Sequence, residues 1–256
     1  MQRLIEEGEH EHQDFKFAIS DARKIARSVS AFANNDGGSL LIGVKDNGAI
    51  AGVRNDEDIY VVEQAAQMYC EPSVDVRFEA FRTDPGVVVI RATVGASDVR
   101  PVRVREADGS LRAYYRVADE NIAAHPLMVR AWQMQADTSE RPALTLDGEA
   151  TDILDAIDRA GGTPLQVNDI AIATRLSERT TADVIVRLAA VGVLTFRYNG
   201  HAFGITRPEY PAIRLPADPP ISPIRLIRPT ACHLLLNNTK RDASDGNGAH
   251  LLGPFA

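Results

Sequence analysis

Apolar residues recur at helical spacing between residues 20 and 34, where Ile25, Val29 and Phe32 fall on one face. This periodicity predicts an amphipathic helix, and the NNDGG segment after it predicts the helix end, because Asn and Gly tolerate positive φ. The apolar run SLLIGVK then predicts a buried strand. An Asn-Gly pair follows, which favours a type I′ hairpin, so AIAGV is expected to return as the partner strand.

The segments up to residue 136 continue to mix strand and helix patterns. Apolar positions predict a helix over 56–69, and the runs VDVRFEAF and GVVVIRATV predict two strands. PVRVRE and LRAYYRV flank an ADG turn and predict a second hairpin, and a short amphipathic helix over 126–135 follows it. This mixture indicates an α+β domain over residues 1–136.

A second domain is predicted beyond a polar, proline-containing linker, residues 137–146. Three helix patterns follow the linker, and two short strands then flank an Asn-Gly turn. Three helices and a two-stranded wing, in this order, are typical of a winged helix-turn-helix, which is predicted over 147–207. Residues 208–256 are rich in proline and include stretches with few apolar side chains, a composition that predicts an extended, disordered tail.

Composition narrows the class of protein. The chain has 256 residues and a net charge of -7, so it is not a generally basic nucleic-acid coat, and any contact with nucleic acid needs a local basic face. The two cysteines, Cys70 and Cys232, are far apart, which is typical of a reducing, cytoplasmic setting without disulfides. No apolar run approaches membrane-spanning length, so no membrane partner is expected.

Three segments of the first domain stand in the order of a known family. They are GEHEHQDFK, IARSVSAFANNDGGSLLIGVKDNGAIAGV and RPVRVREADGSLRAYYRVADENIAA. Together they resemble the Schlafen AlbA-2 family, a nucleic-acid-binding domain of bacterial regulators that also forms the N-terminal core of animal Schlafen proteins. The resemblance covers about the first half of the chain. It implies a mixed sheet with flanking helices.

The resemblance also implies a metal site. Some animal Schlafens are metal-dependent endoribonucleases with two glutamates in the entry motif and an aspartate after the central strand, and these positions fall on Glu9, Asp14 and Asp46. Clustered carboxylates would bind Mg²⁺ or Mn²⁺, which can activate water and stabilise phosphoryl transfer. Asp14 departs from the family's Glu by one methylene. In the alternative interpretation, Asp46 accepts hydrogen bonds within its turn and Glu9 is solvated.

Members of this family are often labelled ATP-binding, and the glycines between residues 37 and 52 are the candidate phosphate-binding positions. None of these glycines is expected to precede a helix N-terminus, which both a P-loop and a dinucleotide fold require. A Walker-type phosphate site is therefore not expected, and a nucleotide-binding module is the weakest of the alternatives. The Gly37-Gly38 turn is expected to let the backbone pass close to a neighbour or a ligand.

Lys16 and the second hairpin supply the predicted nucleic-acid contacts of the first domain. Lys16 shares a strand face with Asp14, so it either contacts phosphate or pairs with a carboxylate. Arginine can bind phosphate and tyrosine can stack on bases. The predicted contacts in the hairpin are Arg103, Arg105, Arg112, Tyr114 and Arg116. The alternative is a solvated hairpin face with surface ion pairs.

The third helix of the second domain is predicted to enter the major groove while the wing approaches the backbone. The predicted contacts are Arg175, Arg179, Thr180, Arg187 and Arg197. Six basic and eight acidic side chains occur over 147–207, with acids clustered on the first helix and basic residues on the third helix and the wing. This polarity suits DNA on one side, and a homodimer would double the few contacts. The alternative is a winged helix used for protein contacts.

A nucleic-acid-binding transcriptional regulator, with DNA favoured over RNA, is the function that these patterns predict. The alternative from another class is a divalent-metal-dependent endoribonuclease, in which Glu9, Asp14 and Asp46 bind the metal and act in catalysis.

Overall fold

The computed structural model describes residues 1–53, 57–83, 86–137 and 147–209. Nearly all of the predicted linker, and the predicted tail from residue 210 onward, lie outside these ranges. Within the described ranges, no helix is both long enough and apolar enough to cross a membrane.

A mixed sheet, a second antiparallel sheet and four α-helices form the first part of the described chain. Strand β1 (Gln13–Lys16) pairs in parallel with β2 (Gly38–Ile42), and antiparallel pairing extends the mixed sheet through β5 (Val88–Val94) to β4 (Val76–Arg82). The second sheet runs in the order β3 (Cys70–Glu71), β6 (Arg103–Arg105), β7 (Leu111–Val117) and β8 (Glu120–Ala123). The observed architecture confirms the predicted α+β class with a mixed sheet. In chain order the elements are α1 (Gln2–Glu7), β1 (Gln13–Lys16), α2 (Ala22–Asn34), β2 (Gly38–Ile42), α3 (Glu57–Gln64), a π-helical segment (Ala65–Tyr69), β3 (Cys70–Glu71), β4 (Val76–Arg82), β5 (Val88–Val94), β6 (Arg103–Arg105), β7 (Leu111–Val117), β8 (Glu120–Ala123) and α4 (Pro126–Ala136).

Helix α2 is the centre of this part, because it packs against strands of both sheets. The predicted apolar face is correct: Ile25, Val29 and Phe32 are buried in the main core. The carboxylate of Asp21 caps the helix by accepting hydrogen bonds from the backbone N–H groups of residues 23 and 24. The helix therefore begins at Ala22, directly after this cap.

The two asparagines at the end of α2 hold the second sheet in place. Asn34 Nδ2 donates to the carbonyls of Val102 and Tyr114, and its Oδ1 accepts from the Val102 N–H at 2.8 Å. Asn35 makes the same reciprocal pair of bonds with the backbone of Arg116. The sequence pattern predicted these residues only as a helix stop. In the structure both are buried and replace strand-to-strand hydrogen bonds with side-chain amides.

The predicted hairpin after β2 is smaller than expected. Its turn forms, because the Lys45 N–H donates to the Ala49 carbonyl, but only a single bridge between Val44 and Ile50 extends the pairing. The returning chain instead lies against Gly43. A Cβ on Gly43 would lie only 2.6 Å from the carbonyl carbon of Gly52, so the close approach requires glycine. Strand β5 takes the place beside β2 that AIAGV was predicted to occupy.

Three helices and a two-stranded ribbon follow in the predicted order. They are α5 (Gly148–Arg159), α6 (Val167–Thr174), α7 (Glu178–Ala190), β9 (Thr195–Tyr198) and β10 (Phe203–Thr206). Side-chain oxygens of Asp147 and Ser177 cap α5 and α7. Two backbone hydrogen bonds join Leu165 to Ile205, so the segment before α6 lies against the ribbon. Helix α4 packs along α7, and its Trp132 is buried in one core with apolar residues of the three helices and the ribbon.

Candidate nucleic-acid interface

Asp14 is the centre of a buried polar network rather than part of an exposed strand face. Its carboxylate accepts from Lys16 Nζ at 2.8 Å and from Ser28 Oγ at 3.1 Å, and Arg116 Nη2 lies 3.4 Å away. The residue is 3% exposed, and neighbouring Phe15 is buried as well. Both faces of β1 are therefore covered: Phe15 packs near α1, and Asp14 faces α2 and β7.

Arg116 is the cationic member of this network. Its guanidinium donates to the carbonyls of His10 and Gln13 and to Asn121 Oδ1, and it lies over the ring of Phe32 at 5.2 Å from the centroid. At 1% exposure it has no surface to offer a nucleic acid. The prediction that Arg116 contacts nucleic acid is corrected here, because the side chain is fully used in joining β7 to β1.

Charge and burial shift the pKa values of the two entry-motif carboxyls in opposite directions. Burial alone would raise the pKa of Asp14, but Lys16 and Arg116 outweigh burial and hold the pKa of that carboxyl below its ordinary value. Burial and the neighbouring Asp14 raise the pKa of Glu9, although Glu9 Oε1 accepts from the Phe15 N–H at 2.8 Å. Asp14 is therefore held as a carboxylate by cations from the protein itself.

The predicted metal ligands do not come together as a metal site. Glu9 and Asp14 are neighbours, whereas Asp46 is exposed in the turn after β2. Within the described residues, which include all three carboxylates, no three His, Cys, Asp or Glu side chains form a group that could hold a metal ion. The turn hydrogen bond suggested for Asp46 is made by Asn47, whose Oδ1 accepts from the Ala49 N–H.

An open cleft of about 420 Å³ lies beside the buried network. Lys16, Lys24 and Arg27 line it, together with Asp119 and Glu120. Lys16 is partly exposed and pairs with Asp14, so the carboxylate-pairing alternative for Lys16 is the arrangement in the structure. Lys24 and Arg27 were not predicted, although their three-residue spacing on one face of α2 was a readable signal.

Tyr114 and Arg27 meet at Glu106 on the rim of this region. Arg27 donates to both carboxylate oxygens of Glu106, at 3.0 and 2.6 Å, and Tyr114 Oη donates to Oε1 at 2.5 Å. Tyr114 is 7% exposed, so the prediction that its ring stacks on a base is corrected. Burial, and then the hydrogen bond to Glu106, raise the pKa of Tyr114 to about 12.

The hairpin arginines are divided between the two faces of the second sheet. Arg103 lies opposite Ala113, and Val104 lies opposite Arg112, so Arg112 shares the face of buried Val104 while Arg103 is on the other face. Arg105 pairs with Glu71 at 2.9 Å and Arg112 with Asp108 at 3.6 Å, both as exposed ion pairs. The predicted alternative of surface ion pairs therefore describes Arg105 and Arg112, and Arg103 is the hairpin arginine without a salt bridge to the described residues.

The arginines of the second part differ in how far neighbouring acids neutralise them. Arg187 lies 3.3 Å from Asp147, and Arg197 lies 2.5 Å from Glu209. Arg175 and Arg179 are exposed and form no salt bridge with any described residue. Arg175 has a φ of 59° and ends α6 in the left-handed conformation, immediately before α7. Thr180 Oγ1 contacts Ser177 Oγ at 2.8 Å, within the N-cap of α7.

Helix α4 covers part of α7. Arg130 Nη2 donates to Asp183 Oδ1 at 2.6 Å, and Gln135 Nε2 donates to the carbonyl of Ala190 at 2.8 Å. These contacts are made near the middle of α7, at Asp183, and at its C-terminal end, at Ala190. Its first turn stays open, because Glu178 and Arg179 are exposed there.

Comparison with known proteins finds a family similar to the first part of the chain. Residues 9–125 match the family model described as Schlafen, AlbA_2. No curated protein matches the chain. The crystal structure of a Corynebacterium diphtheriae protein is similar over 76% of this chain and 34% of its own, with 20% sequence identity and a TM-score of 0.39. The chain spans about a third of the length of that protein.

Proposed function

We propose that this protein is a DNA-binding regulator in which residues 147–207 form a winged helix-turn-helix and α7 enters the major groove. The observation that carries the proposal is a pair of exposed arginines at the start of α7: Arg179 lies in its first turn and Arg175 ends the preceding helix α6, and neither forms a salt bridge with described residues. In helix-turn-helix proteins the N-terminal residues of the recognition helix contact the base edges. The surface that α4 leaves open on α7 is the surface that such docking requires.

The topology of this part supports the proposal. The Leu165–Ile205 bridge places a short extended segment between α5 and α6 against the ribbon, and β9 and β10 form the wing. The tip of the wing is ordered by Asn199, whose Oδ1 accepts from the backbone N–H groups of residues 201 and 202. The wing therefore presents a defined backbone loop, with Arg197 on its first strand.

The distribution of charge supports one binding face. Exposed carboxylates on α5 include Asp152 and Asp155, whereas Arg175 ends α6 and Arg179 lies in the first turn of α7. A dipole of this kind favours one orientation toward a polyanion. The free backbone N–H groups at the start of α7 add a partial positive charge next to Arg179.

The first part, residues 1–136, is proposed to add nucleic-acid contacts to those of α7. The match of residues 9–125 to the Schlafen, AlbA_2 family supports this role. The cations proposed for this role are Lys16, Lys24 and Arg27, which line the cleft, and Arg103 on the hairpin. A homodimer would double these contacts. The endoribonuclease alternative has no described metal-ligand group in its favour and remains a prediction.

The test is binding of the full chain to labelled duplex DNA, single-stranded DNA and structured RNA over a salt series. Each phosphate contact contributes about 0.9 to the slope of log affinity against log salt for duplex DNA. Arg175→Ala with Arg179→Ala is expected to weaken duplex binding by about tenfold or more and to lower that slope by up to about two.

Arg159→Ala is the matched control, because Arg159 is exposed on α5 and bonds only its own helix, at the Asp155 carbonyl. Equal affinities for the control and the double variant would contradict the assignment of α7. Addition of Mn²⁺ to the RNA sample tests the alternative directly, since cleavage that Asp46→Ala abolishes would establish the enzyme.

A further inference from the structure

A pocket of about 160 Å³ lies where the second sheet, α4 and the ribbon meet. We call it the junction pocket. Its inner wall is aromatic, because Tyr115 of β7, Trp132 of α4 and Phe196 of β9 all line it. The rings of Tyr115 and Trp132 are tilted by 36° with centroids 6.2 Å apart. The wall therefore offers ring faces and edges within a space that the protein does not fill.

The rim of the junction pocket is polar and charged, and it consists of Glu11, Asp36 and Arg100. Arg100 Nη1 donates to the Asn34 carbonyl at 3.2 Å, at the C-terminal end of α2, and Glu11 Oε1 accepts from Asn35 Nδ2 at 3.0 Å. These two rim side chains are thus held in position. Their remaining hydrogen-bonding groups are available to a ligand.

Two further polar groups at the junction pocket have unused capacity. Neither the Asp36 carboxylate nor Tyr115 Oη forms a hydrogen bond with any residue in the described part of the chain. Burial raises the pKa of Tyr115, and the carboxylates of Glu11 and Asp36 raise it further while Arg100 opposes them. The hydroxyl is consequently a neutral group that can both donate and accept.

Size and chemistry together define the ligand. A cavity of about 150 Å³ is large enough for a benzene-sized ring, so this pocket has room for one small ring system, and a sugar or phosphate attached to that ring would lie outside it. Carboxylates accept hydrogen bonds from ring N–H and exocyclic amino groups, and aromatic side chains stack on flat rings. Two carboxylates against one arginine favour a ligand richer in donors than in negative charge.

We propose that the junction pocket binds a single nucleobase, with its ring against the Tyr115–Trp132 wall and its N–H groups on Asp36 and Glu11. The base comes either from a free base or nucleoside or from an unpaired position of a nucleic acid, because both present the same ring. The site does not depend on α7 entering DNA. It adds a binding function that connects the sheet part with the helical part.

Trp132 makes the test direct, because it is the only tryptophan of the chain and it lines the pocket. Its fluorescence is followed while the full chain is titrated with cytosine, adenine, uridine or adenosine. Two further titrants are a short single-stranded oligonucleotide and an abasic strand of equal length. Saturable quenching by a free base or nucleoside is expected if the pocket takes its base from a small molecule. Quenching by the base-bearing strand and not by the abasic strand is expected if the source is nucleic acid.

Asp36→Ala is expected to weaken the saturable response about tenfold, the loss typical of a hydrogen bond to a charged acceptor. Asp152→Ala, which removes an exposed carboxylate from α5, is the matched control and should leave the response unchanged. The proposal is overturned if no titrant gives saturable quenching, if the only saturable response is given equally by the base-bearing and abasic strands, or if the two variants behave alike. Because Arg175 and Arg179 lie outside the pocket lining, their DNA-binding test succeeds or fails independently.

Discussion

Arg116 in the first part and Arg179 in the second carry the same side chain in opposite surroundings. Arg116 is enclosed between β1, α2 and β7, where a carboxylate, two carbonyls and an amide surround its guanidinium. Arg179 is exposed at the start of α7 and forms no salt bridge with the described residues. The first arginine is bound by its own protein, and the second is free to bind something else.

The difference follows from the cost of burying charge. A guanidinium taken out of water is stable only when its donors are satisfied and a counterion is close, so Arg116 requires the network around Asp14. An exposed arginine has no such requirement and retains its full attraction for phosphate. Burial therefore separates charges that stabilise the fold from charges that can bind nucleic acid, although both kinds occur among the basic residues of strands and helices.

The largest expected loss of stability comes from breaking the buried network of Arg116 and Asp14. Arg116→Met leaves the Asp14 carboxylate buried with only Lys16 as a counterion, and removal of one partner of a buried pair costs about 3–5 kcal/mol. Chemical unfolding followed by circular dichroism measures the loss. Arg105→Met is the matched control on the neighbouring strand, because its exposed pair with Glu71 contributes no more than about 1 kcal/mol.

If Arg116→Met fails to fold, the double variant Arg116→Met with Asp14→Asn keeps the prediction testable. Removal of both charges eliminates the uncompensated carboxylate, so the double variant is expected to be more stable than the single one. A double variant that is less stable than Arg116→Met would contradict the account of Asp14 as the counterion.

The next effect in size concerns the buried amide at the end of α2. Asn34→Ala removes the amide that bonds the backbone of Val102 and the carbonyl of Tyr114. The Val102 N–H loses its Oδ1 acceptor, whereas the Val102 carbonyl keeps the hydrogen bond from Ser30 Oγ. We expect a loss of about 2–3 kcal/mol in the free energy of unfolding, since each orphaned buried polar group is costly. Asn168→Ala on the exposed side of α6 is the control. Equal losses for the two variants would show that Asn34 only ends the helix.

Apolar spacing was sufficient to locate helices such as α2 and α6 in the sequence, because the face that a helix buries is encoded every three to four residues along it. It could not show which face of the β6–β7 hairpin α2 would cover. That choice depends on contacts between distant segments, and it decided the burial of Tyr114 and Arg116.

The junction pocket illustrates the same limit more strongly. Asp36, Tyr115 and Trp132 are far apart in sequence and meet only after the sheet and α4 have packed. The Asn34–Asn35 pair was visible only as a turn signal, because no local pattern distinguishes an exposed helix stop from an amide that bonds another strand. The sequence shows which side chains can form hydrogen bonds, whereas the residues they bond to are known only from the fold.

A smaller effect is expected from protonation of Asp14. Although burial opposes it, the pKa of Asp14 is lowered by Lys16 and Arg116, so its stabilising contribution is present above the ordinary carboxyl pKa of about 4 and is lost as pH falls through the lower folded value. The difference in unfolding free energy between the native chain and Asp14→Asn should therefore be constant near neutrality and shrink below about pH 4.

The matched measurement replaces Asp152, an exposed carboxyl of α5, by Asn. Its difference from the native chain is expected to stay small at every pH. Glu9 acts in the opposite direction, because its pKa is raised by burial and by Asp14, so its protonated form is favoured by folding. A difference for Asp14→Asn that grows on acidification would contradict the direction assigned to Asp14.

The smallest effect on the free energy of unfolding is expected on the exposed surface of α7. A substitution there should change the affinity for DNA instead. Asp183→Asn removes a carboxylate from α7 and breaks an exposed pair with Arg130, which should change the unfolding free energy by less than about 1 kcal/mol. The same change removes repulsion between α7 and phosphate, so duplex affinity should rise several-fold at low salt and less at high salt. Asp155→Asn on α5 removes the same charge away from α7 and should leave affinity nearly unchanged. If both variants raise affinity equally, net charge rather than the position of α7 controls binding, and the contrast between Arg116 and Arg179 would describe stability alone.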